Sequence, residues 1–368
     1  MNRLAQLNVN WSSSPGSTIV DILEEKYMSE TEFCSNLNID YAQCRGVISG
    51  HNEITTAIAE KLVQTLGASK EFWLKREKQY REVLDNLAST EDVKRAWLQS
   101  LPINDMLKYK WIKASDNLYD ACLTFFGVSN VETWNLIYKA DSGNPAFRIS
   151  PKFESKSASI ATWLRQGEII AEEIDCEPWN KQKFLERIEE IKLLTRQKNP
   201  SIFIPKLKAI CAECGVAVAI APTPSGCPAS GATKFISSNK AILMLSFRYL
   251  RDDNFWFTFF HEAGHLILHG KDRMHIEVTD KVNYASSPEE IEANKFAGEI
   301  LVPFLYRSEL KNIKSNKKKL ISFAMKMGVS PGIVVGQMQN DGIISYQYLN
   351  GYKRTFNWKD IDEALNKN

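Results

Sequence analysis

Phe255-Trp256-Phe257-Thr258-Phe259-Phe260-His261-Glu262-Ala263-Gly264-His265-Leu266-Ile267-Leu268 sets an H-E-x-x-H pattern inside an apolar run. On a helix, residues four apart share a face, so both imidazoles can grip one metal ion. Glu262 lies one residue round, where a carboxylate can take a proton from water on that ion. Four of the chain's five histidines fall between positions 261 and 275, so a histidine-poor sequence concentrates them in one place. Metal binding is the expectation for this segment, ahead of a plain buried helix.

A catalytic zinc ion usually takes three protein ligands and leaves a fourth position open. His269 follows His261 by slightly over two turns, pointing roughly the same way but too far along to share the ion. The metzincin spacing would need a histidine where Lys271 stands, which also excludes His275 from that role. The remaining source is a carboxylate on the next helix. Pro288-Glu289-Glu290-Ile291-Glu292-Ala293-Asn294-Lys295-Phe296-Ala297 opens with proline and acids, as helix first turns do. This stretch resembles the E-x-x-A-(D/N)-x-F-A element of gluzincin peptidases. That resemblance implies Glu290 as third ligand, with Asn294 one turn later behind the first histidine. Glu292 faces another way and is the alternative. Hydrolysis also requires a group that stabilises the oxyanion, for which Tyr284 and Arg248 are candidates. His269 reads as a packed or capping histidine.

The wider context carries the same resemblance. Thr258 to Gly270, Phe296-Ala297-Gly298-Glu299-Ile300-Leu301-Val302-Pro303 and Gly328-Val329-Ser330-Pro331-Gly332-Ile333-Val334-Val335-Gly336-Gln337 look like the ImmA/IrrE metallopeptidase family, over about 160 to 355. The family implies a zinc-dependent peptidase fold, often paired with Xre-type repressors that it cleaves or controls. In such an enzyme Glu262 would deprotonate the attacking water and pass the proton to the leaving amine.

Upstream of this helix the composition changes near Pro200. Strand-like runs at 216–220, 231–237 and 241–246, with a Ser238-Asn239 turn between the last two, predict a hairpin and a small sheet. An edge strand beside the metal helix could bind an extended peptide through backbone hydrogen bonds. Cys211-Ala212-Glu213-Cys214 lacks a second C-x-x-C to complete a structural zinc site and reads as two buried residues at a helix end. From about 90 to 195 the pattern is helical and charged, without visible chemistry. Lys314, Lys317, Lys318 and Lys319 form a basic cluster that reads as a solvated loop before a second helix-turn-helix-like element.

Residues 1–88 read as a compact bundle. Pro15-Gly16 precedes one helix pattern; Ser29 with Glu32 three residues on is a capping box for a second. Asn38 suits a left-handed turn, Asp40 to Ser49 form a third helix stopped by Gly50, a fourth runs from about Thr55 to Leu66, and Phe72-Trp73-Leu74 begins a fifth. Two short helices and a tight turn describe a helix-turn-helix domain. Together with Leu66-Gly67-Ala68-Ser69-Lys70-Glu71-Phe72-Trp73-Leu74, the string resembles the antidote (HigA-like) branch of the Xre repressors. Its third helix departs from that pattern: Asp40-Tyr41-Ala42-Gln43-Cys44-Arg45-Gly46 holds one cation, one anion and a helix-weakening glycine. DNA binding is then expected to be weak unless the domain dimerises, since phosphate contacts supply most DNA affinity. Tyr41, Gln43 and Arg45 are the candidates for base edges; the alternative is a helix-turn-helix used for protein contact.

The 368 residues suggest two or three domains. The expected division is 1–88, a helical connector at 89–195, a metallopeptidase core at 196–310 and an extension at 311–368. The class is multidomain, mainly α with a small β-sheet (α+β). A net charge of +2 does not by itself imply nucleic acid. Seven cysteines without regular spacing do not look like a disulfide framework, the N-terminal MNRLAQLNVNW has no apolar core of signal-peptide length and no run approaches the length of a membrane span, so a cytoplasmic protein is expected. Two functions follow. One is a zinc metalloendopeptidase fused to a DNA-binding or docking module, acting on a repressor, toxin or other regulatory protein in a toxin–antitoxin, phage-immunity or stress response. The other is a non-proteolytic antitoxin or autorepressor whose metal domain senses a signal or partner.

Overall fold

The computed structural model describes residues 14–86, 91–114, 117–138, 156–270, 274–278, 287–313 and 316–366. The chain divides after Ala158 into two compact units, Met1–Ala158 and Ser159–Asn368. The segment 89–195 is therefore shared between the units.

In the first unit, α1 (Pro15–Glu25), α2 (Glu30–Asn36), α3 (Tyr41–Ile48), α4 (Thr56–Leu66) and α5 (Lys70–Asn86) follow the five helix patterns. Ser14, Ser29, Asp40 and Thr55 each accept a backbone N–H at the start of the helix that follows, satisfying donors that have no partner within the helix. Asn38, between α2 and α3, takes φ 49°. Ile19, Phe33, Leu37, Leu62 and Trp73 meet in one core. A disulfide between Cys34 and Cys44 ties α2 to α3, with Cα atoms 5.6 Å apart. The spacing of the cysteines gave no sign of this bond, because the pairing depends on how the two helices cross. Four more helices, α6 (Glu91–Ser100), α7 (Ile103–Lys108), α8 (Leu118–Phe126) and α9 (Val131–Tyr138), follow. There Trp134 makes edge-to-face contacts with Trp97 and Phe126.

The second unit opens with α10 (Ser157–Glu172), α11 (Lys181–Leu194) and α12 (Pro200–Ala212). A mixed four-stranded sheet follows, built from β1 (Val216–Ile220), β2 (Ala229–Ser237), β3 (Lys240–Leu245) and β4 (His275–Val278) in the order β1-β3-β2-β4. β2 and β3 form the expected hairpin, while β1 runs parallel to β3 with Val218 beside Leu243. β4, absent from the sequence reading, pairs antiparallel with β2 and forms an edge. Cys211 and Cys214 are fully buried, and burial pushes the Cys211 thiol well above its ordinary range; packing accounts for both.

The remaining helices are α13 (Asp252–Leu268), α14 (Pro288–Leu301), α15 (Phe304–Leu310), α16 (Lys317–Met327), α17 (Pro331–Asn340) and α18 (Trp358–Leu365). α13 is buried along most of its length, its polar residues included. It packs against the sheet, α14 and α17, with Trp256, Phe259, Phe260 and Ala263 fully buried. α18 packs on α12, so residues 311–368 share one core with the sheet and α13. Asp252 secures the start of α13: the Ser330 hydroxyl donates to its Oδ2 at 2.7 Å and the Arg354 backbone N–H to its Oδ1 at 2.9 Å. A carboxylate at that position also suits the helix dipole. α16 and α17 are bent by 102° across their junction, and Lys317, Lys318 and Lys319 are exposed at the start of α16; Lys314 lies outside the described residues. Among the described residues, no single helix is long and apolar enough to cross a membrane.

Candidate metal centre

α13 presents His261 and His265 one turn apart, both about 99 % buried, with their Nε2 atoms 3.0 Å from each other. α14 supplies the third group from its first turn, where Ser287 caps the helix by accepting the Glu290 N–H. Glu290 Oε2 lies 3.2 Å from His261 Nε2, and its Oε1 lies 3.2 Å from His265 Nε2. The ligating atoms of His261, His265 and Glu290 all lie within 4.8 Å of one another. Two neutral nitrogens and one carboxylate are a donor set suited to a divalent metal with an open position. The residues present fit a metal ion.

The neighbours of these groups set their chemistry. Asn294 Oδ1 lies 3.1 Å from His261 Nδ1, so a proton on Nδ1 donates to it and leaves Nε2 free to ligate. Glu292 stands elsewhere, with Oε2 3.1 Å from His269 Nε2. Burial alone would depress the His261 pKa, but the carboxylates of Glu277, Glu290 and Glu262 lift it to about 9. Burial would raise Glu290, yet the two imidazoles hold its carboxyl well below the usual range. His275 stacks on His265 with ring centroids 4.0 Å apart, and burial together with His265 and His269 pushes it down to about 4.

Glu262 is fully buried on α13 beneath β2. The Thr233 hydroxyl donates to its Oε2 at 3.0 Å, while Oε1 has no hydrogen-bond partner among the described residues. Burial pushes its carboxyl well above the ordinary range; His261 pulls the other way, and Glu277 and Glu290 add to the rise. A carboxyl so perturbed beside a metal donor set is suited to moving a proton. Gly231 on β2 keeps the space open, since a Cβ there would come 2.5 Å from Thr258 Cγ2 and 2.7 Å from Glu262 Oε1.

The roles of Thr233 and Glu277, and the stacking of His275 on His265, were not anticipated. All three arrive from strands, and the register of β2 against β4, Thr233 opposite His275, is what places them over α13. Arg248 donates from Nη1 to the Cys227 carbonyl at 2.9 Å and lines a cavity of about 640 Å³ that also reaches Thr258 and Glu277. Tyr284 lies outside the described residues.

The three candidates for DNA contact lie on α3. Tyr41 and Arg45, four apart, share a face; Gln43 is turned about 200° from Tyr41. Gln43 is exposed, and Tyr41 and Arg45 are half-buried. Arg45 is held in an ion pair with Glu30 of α2. A Cβ on Gly46 would come 2.3 Å from Asn52 Nδ2, at the end of a flexible side chain whose amide also donates to the Gln43 carbonyl at 3.2 Å.

Residues 225–335 match the family model of the IrrE N-terminal-like domain, Peptidase_M78. The IrrE-like region takes in β2, β3, α13, β4 and α14, the elements that carry every group of the site described above. This part of the chain is metallopeptidase-like. No curated protein matches the chain.

Proposed function

We propose that the chain is a zinc-dependent endopeptidase joined to a DNA-binding unit at residues 1–88, and that it cuts a repressor, toxin or other regulatory protein. One observation carries this reading. A fully buried carboxyl, Glu262, with one oxygen unpartnered among the described residues, stands on the same helix as the two imidazoles that face Glu290. A site that only sensed a metal would not require that buried acid.

His261, His265 and Glu290 would hold the zinc ion, which when bound supplies Lewis acidity to water and to the peptide carbonyl. Glu262 takes the proton of the attacking water and carries it to the leaving amine; burial raises its affinity for that proton above that of an ordinary carboxylate. Thr233 holds one carboxylate oxygen of Glu262, leaving Oε1 for the proton. β4 is an edge strand of the sheet over α13 and offers backbone groups to an extended substrate. Operator DNA is the proposed ligand of α3, with dimerisation making up for its sparse cations.

The second reading, a non-proteolytic antitoxin or autorepressor, draws on the antidote-like pattern of residues 15–74. Glu262→Gln separates the two. In cells that express a candidate repressor or toxin, wild type is expected to deplete the full-length band and the variant to leave it intact. Equal depletion by both would end the protease reading.

A further inference from the structure

His269 is an unexplained group in this site. It is too far along α13 to share the cation with His261, yet its side chain is only 7 % exposed. Its Nδ1 lies 3.0 Å from Nδ1 of His265, and its Nε2 lies 3.1 Å from Oε2 of Glu292. The protons on this chain can be assigned by elimination. His265 faces Glu290 with Nε2, so for that nitrogen to ligate as a lone pair the ring proton must sit on Nδ1. That N–H then donates to His269 Nδ1, which acts as acceptor. The remaining proton of a neutral His269 is on Nε2 and donates to the Glu292 carboxylate. Each contact has one proton, and the chain ends on a carboxylate.

We propose that His269 and Glu292 are positioning residues that fix the tautomer and ring orientation of His265, as Asn294 does for His261. The two predicted ligands of α13 are then held by different means: one by an amide of α14, the other by an imidazole of α13 backed by a carboxylate of α14. His275, stacked on His265, closes the ring's flat face. The alternative assembly of the same groups is a second cation held by His265, His269 and His275, whose ligating atoms also lie within 4.8 Å of one another. That arrangement would strip the last ring proton from His265 whenever both cations were present, so it competes with the first site and does not support it. The relay needs no such loss.

The inference rests on the metal-site reading above, and the experiment keeps the two apart. Zinc affinity of the full chain is measured by competition with a chromophoric chelator, alongside stoichiometry and thermal melting. The probe is zinc ion alone, with His265→Ala as the reference for a lost ligand. His269→Ala is expected to weaken zinc binding about 10–100-fold. His269→Asn should recover most of that loss, because its Oδ1 can take the place of Nδ1 as acceptor. Glu292→Gln should weaken binding less in wild type, and not at all once His269→Asn is present. Unchanged affinity in His269→Ala overturns the relay while leaving the metal site intact, and so does equal loss in His269→Ala and His269→Asn. A second zinc equivalent in wild type that disappears in His275→Ala overturns it in favour of a second cation. A wild-type chain that binds no zinc overturns both readings together.

Discussion

The helix pair α13–α14 and the helix pair α2–α3 use polar residues in opposite ways. On α13 the polar side chains of the site turn inward, towards Glu290 of α14 and Thr233 of β2: His261, Glu262 and His265 are buried, and each contacts a group supplied by another element. Burial there strengthens electrostatic coupling, which is why Glu262 and Glu290 are driven in opposite directions from similar starting values. On α2 and α3 the polar groups are spent on local structure. Asp40 caps α3, Glu30 holds Arg45, and Asn52 folds over Gly46. The first pair is organised for chemistry at a point. The second is stabilised as a scaffold and leaves little positive charge free for phosphates.

The largest effect that would sharpen this contrast is on catalysis. Glu262→Gln should lower peptide cleavage by about 10²–10⁴-fold while zinc content is retained, the range for loss of a general acid–base group. Cleavage at the wild-type rate would remove Glu262 from its proposed role. In the other pair, the cross-link is the expected stabiliser. Cys44→Ser opens the loop from Cys34 and should cost the first unit about 2–3 kcal/mol, by the loop-entropy argument. Calorimetry of the full chain should show a transition at lower temperature, with zinc affinity unchanged; a loss of zinc affinity would mean that the two regions are coupled.

A pH series gives the next effect in size. In the metal-free chain, Glu277, Glu290 and Glu262 hold a proton on His261 up to about pH 9, despite its burial. Zinc must displace that proton, so the affinity should strengthen as pH rises from 6 towards 9, by up to about tenfold per unit, and then level off. A flat profile over this range would contradict the charge environment described for His261. The smallest effect concerns DNA. Glu30→Gln releases Arg45 from its ion pair, so binding to the DNA upstream of the chain's own gene should tighten a few-fold, with a salt dependence steeper by about one phosphate contact. No change in a mobility-shift titration would count against α3 as the DNA-facing helix.

What the sequence disclosed follows from how far each feature reaches along the chain. His261 and His265 could be read directly because a helix brings residues four apart together without help from the rest of the fold. The five helices of the first unit were legible for the same reason, through local signals such as Pro15-Gly16, the Ser29 cap, Asn38 and Gly50. Glu290 belongs to another helix, and only the resemblance to the E-x-x-A-N element ranked it above Glu292. Thr233 and Glu277 left no sequence signal, because their place over Glu262 depends on the strand register of β2 and β4, and β4 itself is only four residues long. The Cys34–Cys44 pair was hidden in the same way: it depends on the crossing of α2 and α3.

The central claim is that α13 and α14 together hold one metal ion between His261, His265 and Glu290. Metal analysis of the purified full chain, after removal of loosely bound ions, tests it without knowledge of a substrate. Wild type should carry about one zinc per chain and Glu290→Ala almost none, because removing one of three ligands from a site coupled to folding costs most of its affinity. No zinc in wild type, or full retention in Glu290→Ala, would contradict the account.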